Sequence, residues 1–407
     1  MDQVLKRKLP GTGDYISILG FGCMRFKRNL ATTDMEKAEK QVRLAIESGV
    51  NYFDTAYMYP GNEKALGTIL AKTDAEGNKL RDRVFVATKL PAMMVKTTEN
   101  IDKFFQTSLE RLGMDYIDYY LVHSLSNFAA WERIKKLGVI EYLEKARSDG
   151  KIGHIGFSWH GNLHDFRKVI DDYNWEFCQI QYNYLDENFQ AGTEGMQYAA
   201  SKGIGIIVME PLRGGTLAGN IPAEAMKLLK THTDQNQKKH SPAYWGFRWV
   251  WNHPEVTCVL SGMNDISQIT KNINTSLVSL PDSLSESDLD MIDQVKDIIK
   301  QSIRVNCTGC AYCMPCPYGI DIPFCLAALN ENAIFGKFSS KVMYNFNLRP
   351  LKDKPSGRAS ACRKCGVCET KCPQHLPIMK SLEETAKTLE NPVINGLVSI
   401  ASKFIGS

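Results

Sequence analysis

The sequence predicts an α/β protein, a closed (β/α)8 barrel followed by a small α+β domain rich in cysteine. Three observations carry that expectation. Short apolar strand-like segments alternate with helix-like ones, and eight such strands fall before about residue 280; an alternating βα pattern implies a parallel sheet, and eight units close it. Nine of the twelve cysteines lie between Cys307 and Cys372. The length, 407 residues, exceeds one typical domain.

The strand candidates are 18–22, 51–54, 84–88, 117–122, 152–157, 177–182, 204–209 and 256–260. Each is short and rich in β-branched, aromatic or small apolar residues, as a strand buried on both faces requires. Helices are expected between them. One opens at Thr33-Asp34-Met35-Glu36, where short oxygen-bearing side chains can cap free backbone N–H groups, and ends near Ser48-Gly49. Another runs from Glu99 to Leu112 and stops at Gly113, a residue free to turn left-handed. A third covers 137–148, and 266–274 follows the eighth strand. An acidic helix over 285–301 then leads out of the barrel. The expected domains are 1–300, 301–390 and an amphipathic tail, 391–407. The tail reads as docking on the protein itself, with a partner or membrane surface as the alternative.

Composition excludes little but points one way. The chain is 43% apolar and 23% charged, with a net charge of +4 and its Lys and Arg dispersed. Nucleic acid is not an expected partner. No apolar run approaches the roughly 20 residues of a transmembrane segment. No apolar stretch follows the charges of Met1 to Lys8, so a cytoplasmic location is expected rather than a secreted one. A disulfide framework suits small secreted domains, so the cysteine bunch reads as a metal or cluster site.

In such a barrel, chemistry sits where strands end. Here the strand ends carry Asp54 with Tyr59 just beyond it, Thr88-Lys89, His123-Ser124, Ser158, and Gln179 with Gln181 and Asn183. A lysine beside a tyrosine lowers the phenol pKa, which lets the phenol exchange a proton. An aspartate keeps the lysine charged, and a histidine can polarise a carbonyl oxygen. Singly, His123 could be a satisfied core histidine and Asp54 a buried cap. Together, on three consecutive strand ends, they read as a catalytic set rather than a coincidence.

These residues resemble the aldo-keto reductases. The matching segments are Asn51-Tyr52-Phe53-Asp54-Thr55-Ala56-Tyr57-Met58-Tyr59, Thr88-Lys89-Leu90, Asp118 to His123, and Gly150 to Ser158. The resemblance implies an Asp54, Tyr59, Lys89, His123 tetrad and NAD(P)-linked reduction of a small carbonyl substrate, or oxidation of an alcohol, with Tyr59 as acid/base. It also implies NADH or NADPH as cofactor, held by Ser158 and Gln179 at the nicotinamide, Met209 against its ring, and Ser261, Gly262, Asn264, Gln268 and Asn272 at the adenosine end. Trp159 stands where many members have Asn, Met209 where many have Tyr, and Gln268 where Arg is common. The last departure puts NADH on a par with NADPH. Tyr57, Trp131, Trp159 and Tyr59 could form an aromatic substrate pocket, or belong to the core. Arg25 and Arg213, after the first and seventh strands, could hold an anion, or be solvated or salt-bridged.

The cysteines form two runs. The second, Cys362-x2-Cys365-x2-Cys368-x3-Cys372-Pro373, has the spacing of bacterial-type ferredoxins; the first, Cys307, Cys310, Cys313, Cys316-Pro317, is one residue shorter before its last cysteine. The similar continuations after each run suggest an internal duplication. Zinc also takes paired cysteines, but two complete runs ending in proline fit two [4Fe–4S] clusters better. The resemblance implies cross-ligation: Cys307, Cys310, Cys313 and Cys372 on one cluster, and Cys362, Cys365, Cys368 and Cys316 on the other. Cys325 reads as a structural thiol. The linker is expected to hold helices at 322–332 and 334–344. The whole reads as an aldo-keto reductase-like enzyme with a ferredoxin-like domain whose clusters are structural or pass electrons to a redox partner protein. The alternatives are a ferredoxin-linked enzyme with a flavin or radical step, and an electron carrier with the barrel as scaffold.

Overall fold

The structure is a computed structural model that describes residues 3–29, 32–307, 309, 312–336, 338–348, 356–372 and 374–391. The chain divides into two compact units, one of Met1–Gly215 with His240–Leu289 and the other of Thr216–Lys239 with Asp290–Ser407.

Eight parallel strands close the barrel of the first unit. They are Leu19–Gly22, Tyr52–Asp54, Phe85–Leu90, Ile117–Leu125, Ile152–Trp159, Phe177–Gln181, Gly205–Met209 and Val256–Ser261. The last pairs with the first, Val259 opposite Leu19, which completes the ring. Alternate residues point inward. Tyr52, Ala87, Tyr119, Leu121, Phe177, Ile207, Cys258 and Leu260 thus form one buried cluster with Leu9 and Ile16. The latter two come from a hairpin, Lys6–Lys8 against Tyr15–Ser17, that the sequence does not announce. Leu9 packs on Gly205, where the seventh strand begins, so the hairpin stoppers the end of the barrel opposite the strand C-termini.

The capping logic holds at several helices. Asp34 accepts from Lys37 N at the head of helix Met35–Glu47. Helix Thr98–Leu112 ends on Gly113 at φ 64°. The fourth strand runs on through His123 to Leu125, past its expected end. The stretch behind it forms two helices where one was expected, Phe128–Lys135, capped by Asn127, and Val139–Ser148.

The stoppered end carries a charge cluster. His154 Nδ1 is 2.7 Å from Glu176 Oε1 and its Nε2 is 3.3 Å from Asp14 Oδ2. Burial works against the imidazolium, but Glu176 and Asp14 outweigh it and raise the His154 pKa above its ordinary value. A raised folded-state pKa stabilises most below the unfolded value and loses that contribution as pH climbs through the folded one. His154→Gln is therefore expected to cost about 1 kcal/mol below about pH 6 and progressively less above. Urea midpoints of both proteins across that range check it, and a gap that does not change with pH would refute it.

The second unit has its own core, from Val305, Ile320, Ile322, Cys325, Leu326, Leu329, Tyr344, Cys368, Cys372, Ile378 and Leu382 among others. Its helices of ten or more residues, among the described residues, are Glu286–Gln301, most of it in this unit, with Ile322–Phe335, Phe338–Asn347 and Ile378–Leu389. Two of them begin at the same distance after the last cysteine of their run, Cys316 to Ile322 and Cys372 to Ile378, and they pack on each other. That is the geometry a duplication leaves. Among the described residues no helix is long and apolar enough to cross a membrane. The amphipathic tail beyond Asn391 lies outside the described residues.

Candidate active site

Asp54 ends the second strand, Lys89 lies in the third and His123 in the fourth. Adjacent parallel strands in register bring such residues to one rim. Lys89 Nζ donates to Asp54 Oδ2 at 2.5 Å and to the Thr55 carbonyl at 2.7 Å. Both side chains are almost wholly buried, at 0% and 5% exposure. Burial pulls on the Lys89 ammonium, yet Asp54 and Tyr59 hold its pKa above the ordinary value, so it stays charged. Burial pushes the Asp54 carboxyl upward, and Lys89 draws it back.

Tyr59 sits in the turn after Asp54, fixed by its N–H to the Ala56 carbonyl at 3.0 Å. Lys89 Nζ lies 5.3 Å from the centre of its ring. The His123 ring meets that of Tyr59 edge-on at 5.9 Å. Burial first, then the Lys89 charge and His160, lower the His123 pKa to about 3. His123 is therefore neutral across the working range. Its Nδ1 is buried without a hydrogen-bond partner. Burial raises the Tyr59 pKa and Lys89 pulls it back, leaving the phenol protonated at neutral pH.

The residues expected to contact a cofactor lie on and beyond the neighbouring strands. Ser158 stands opposite Gln179 in register. Ser158 Oγ accepts from Ser124 N at 2.8 Å, and Gln179 Nε2 donates to Met209 Sδ at 3.5 Å. Gln179 Oε1 is buried and has no partner. A primary carboxamide donates the N–H that this oxygen lacks, so the residues fit the amide of a nicotinamide. Beyond the eighth strand, Asn272 Nδ2 donates to Ser261 Oγ at 3.1 Å, and Gln268 Oε1 accepts from Asn264 N at 3.1 Å. The Gln268 acceptor thus braces its own loop.

Three aromatic candidates lie elsewhere. Trp159 follows inward-facing Ser158 and so faces outward, wholly buried against Phe166 with its N–H on the Gly161 carbonyl. Trp131 packs on Trp175 and donates to Asp172 in the helical layer. Tyr57 lies under Arg111 and against Phe104. Only Tyr59 joins the tetrad. Two residues near it went unforeseen. His160 faces His123 closely enough to depress its pKa. Glu63 is a buried carboxylate that receives Thr88 Oγ1 at 2.7 Å and Arg111 at 3.2 Å, anchoring the strand that bears Lys89. Neither carried a motif.

In the second unit, Cys316 of the first run meets Cys362, Cys365 and Cys368 of the second around one cavity, which Ile320, Ile322, Met379 and Leu382 also line. Three thiols at two-residue intervals plus one from the other run is a donor set suited to a cube of iron and sulfide. Cys307 and Cys313 border the same core that buries Cys372; Cys310 lies outside the described residues. Cys325 is buried beside the Tyr344 hydroxyl and the Gly357 carbonyl. Burial pushes its thiol up to about 12, the behaviour of a structural cysteine.

A rim and a cysteine-lined cavity of this kind belong to an oxidoreductase with an attached iron–sulfur domain. Residues 18–297 match the aldo/keto reductase family, and the chain belongs to that family. Residues 306–377 match a 4Fe-4S dicluster domain. The chain is 27% identical over 319 residues to L-galactose dehydrogenase of Arabidopsis thaliana, covering 74% of this chain and 97% of that protein. It is 26% identical over 320 residues to probable aldo-keto reductase 1 of Glycine max, covering 70% and 87%. Among solved structures, the holo form of aldo-keto reductase AKR11C1 from Bacillus halodurans shares the barrel fold, with a TM-score of 0.58 at 24% identity, covering 72% and 96%.

Proposed function

We propose that the barrel reduces a small-molecule carbonyl, or oxidises the matching alcohol, with Tyr59 exchanging the proton. The observation that carries this is the buried Lys89–Asp54 pair beside Tyr59. A bound nicotinamide nucleotide supplies the hydride. Ser158 and Gln179 hold its carboxamide, Met209 packs against its ring, and Ser261, Gly262, Asn264, Gln268 and Asn272 line the adenosine end. Neutral His123 donates to the carbonyl oxygen and orients it. Tyr59 gives that oxygen its proton, and the Lys89 ammonium stabilises the phenolate left behind. Asp54 keeps the ammonium charged. In the second unit, Cys307, Cys310, Cys313 and Cys372 bind one [4Fe–4S] cluster, and Cys316, Cys362, Cys365 and Cys368 the other.

Tyr59→Phe tests the assignment. It should lower kcat/KM for carbonyl reduction by about 10²–10⁴-fold while leaving nucleotide affinity within about twofold, because the phenol acts only on the reacting oxygen. With His123 at about 3, the wild-type profile should show no break near the ordinary histidine value of 6.5. A Tyr59→Phe enzyme that keeps the wild-type rate would sink the proposal.

A further inference from the structure

Two arginines stand on loops that follow barrel strands, and their surroundings differ. Arg213 Nε lies 3.4 Å from Asp186 Oδ2, so its charge is answered. Arg25 makes no hydrogen bond or ion pair with any described residue, yet its side chain has a defined seat. Its stem lies along Gly262, where an added Cβ would stand 2.7 Å from Arg25 Cγ. Its Nη2 would lie 3.1 Å from a Cβ on Gly214, which holds φ +65°. Two bare stretches of backbone, after the seventh and eighth strands, therefore seat a guanidinium that arrives from the loop after the first. The carboxylate of the loop after the eighth strand does not claim it. Asp265, at the head of helix Ile266–Ser276, caps that helix through Ser267 N and has Lys27 and Lys271 within electrostatic reach.

The position is informative if the nucleotide reading above holds, on which this inference rests. That reading places the carboxamide at Ser158 and Gln179, on the fifth and sixth strands, and the adenosine after the eighth. A dinucleotide spanning those points crosses the loop after the seventh strand, where Gly214 lies. The group midway along it is the diphosphate. We propose that Arg25 binds the diphosphate of the nicotinamide dinucleotide. A planar guanidinium with free N–H donors matches phosphate oxygens two at a time. The bare glycines are what allow it to sit there. This also accounts for a segment after the eighth strand that brings no arginine of its own, since the cation comes from the other side of the barrel seam.

Arg25 is exposed, so Arg25→Gln should leave the thermal midpoint unchanged. Binding of NADH and of NADPH to the full cluster-loaded protein, each followed by nucleotide fluorescence at two salt concentrations, tests the inference without turnover. The diphosphate is common to both nucleotides. Arg25→Gln should therefore weaken both by about tenfold or more, to the same extent, and flatten the salt dependence. Gly262→Ala, which displaces the Arg25 stem, should weaken both in the same direction. Loss confined to NADPH would place Arg25 on the 2′-phosphate and overturn the inference. So would affinities within twofold of wild type. A wild-type protein that binds neither nucleotide would instead overturn the nucleotide reading, and this inference with it.

Discussion

Lys89→Met is expected to abolish carbonyl reduction and to cost about 3–5 kcal/mol of barrel stability at neutral pH, because it leaves a buried carboxylate without its cation. Asp54 and Lys89 are both removed from water, at 5% and 0% exposure, and the pair is closed by a 2.5 Å contact. Most of the cost comes from stranding Asp54, not from losing an attraction. Two consequences follow from that origin. Adding Asp54→Asn should restore much of the stability and none of the activity, since neither residue can then support the Tyr59 phenolate. Acidification should narrow the gap between Lys89→Met and wild type. Without the cation, burial raises the Asp54 pKa, and a carboxyl whose folded pKa lies above the unfolded one gains stability as pH falls through it. Chemical unfolding of the wild type and the two variants at neutral and acidic pH measures both effects. A single-variant cost below about 1 kcal/mol, the range of exposed ion pairs, would show that the pair is not buried as described.

The barrel was legible because its strands obey a strict demand. A strand covered by helices outside and packed inside must be apolar on both faces, so 84–88, 117–122 and 204–209 stand out. The same demand explains where polar residues become informative. Asp54, Lys89 and His123 interrupt it only at strand ends. The pleat gave a further clue that went unused: if Ser158 faces inward, Trp159 must face the helices, so it could not line a pocket. The hairpin at Lys6–Lys8 was invisible because its charges mask the two side chains, Leu9 and Ile16, that it inserts. The contrast between Arg25 and Arg213 was also out of reach. It depends on Asp186, which meets Arg213 only once the sixth and seventh strands are paired. Glu63 is similar, a carboxylate on a helix whose partners Thr88 and Arg111 come from elsewhere in the chain.

The proposed cross-ligation makes a strong and separable demand on the second unit. Cys316 and Cys365 are far apart in sequence but line one cavity, so Cys316→Ser and Cys365→Ser should lose the same cluster. Each should lower iron and acid-labile sulfide by about half, because two-cluster folds divide their ligands evenly, and both should remove the same signal from the reduced electron paramagnetic resonance spectrum. Cys313→Ser should remove the other signal. If the runs instead ligate independently, Cys316→Ser will match Cys313→Ser. The structural cost should be large. Cys368 and Cys372 belong to the hydrophobic core of this unit and Cys316 and Cys362 pack against it, so several of the proposed ligands are also core residues. Metal-site free energies on the order of 10 kcal/mol match the about 5–15 kcal/mol that holds a whole domain folded. Loss of one cluster is thus expected to erase hydrogen-exchange protection in helices Ile322–Phe335 and Ile378–Leu389. Retained protection with half the iron gone would mean that the core folds without its clusters, and would leave electron transfer as the reason for keeping them.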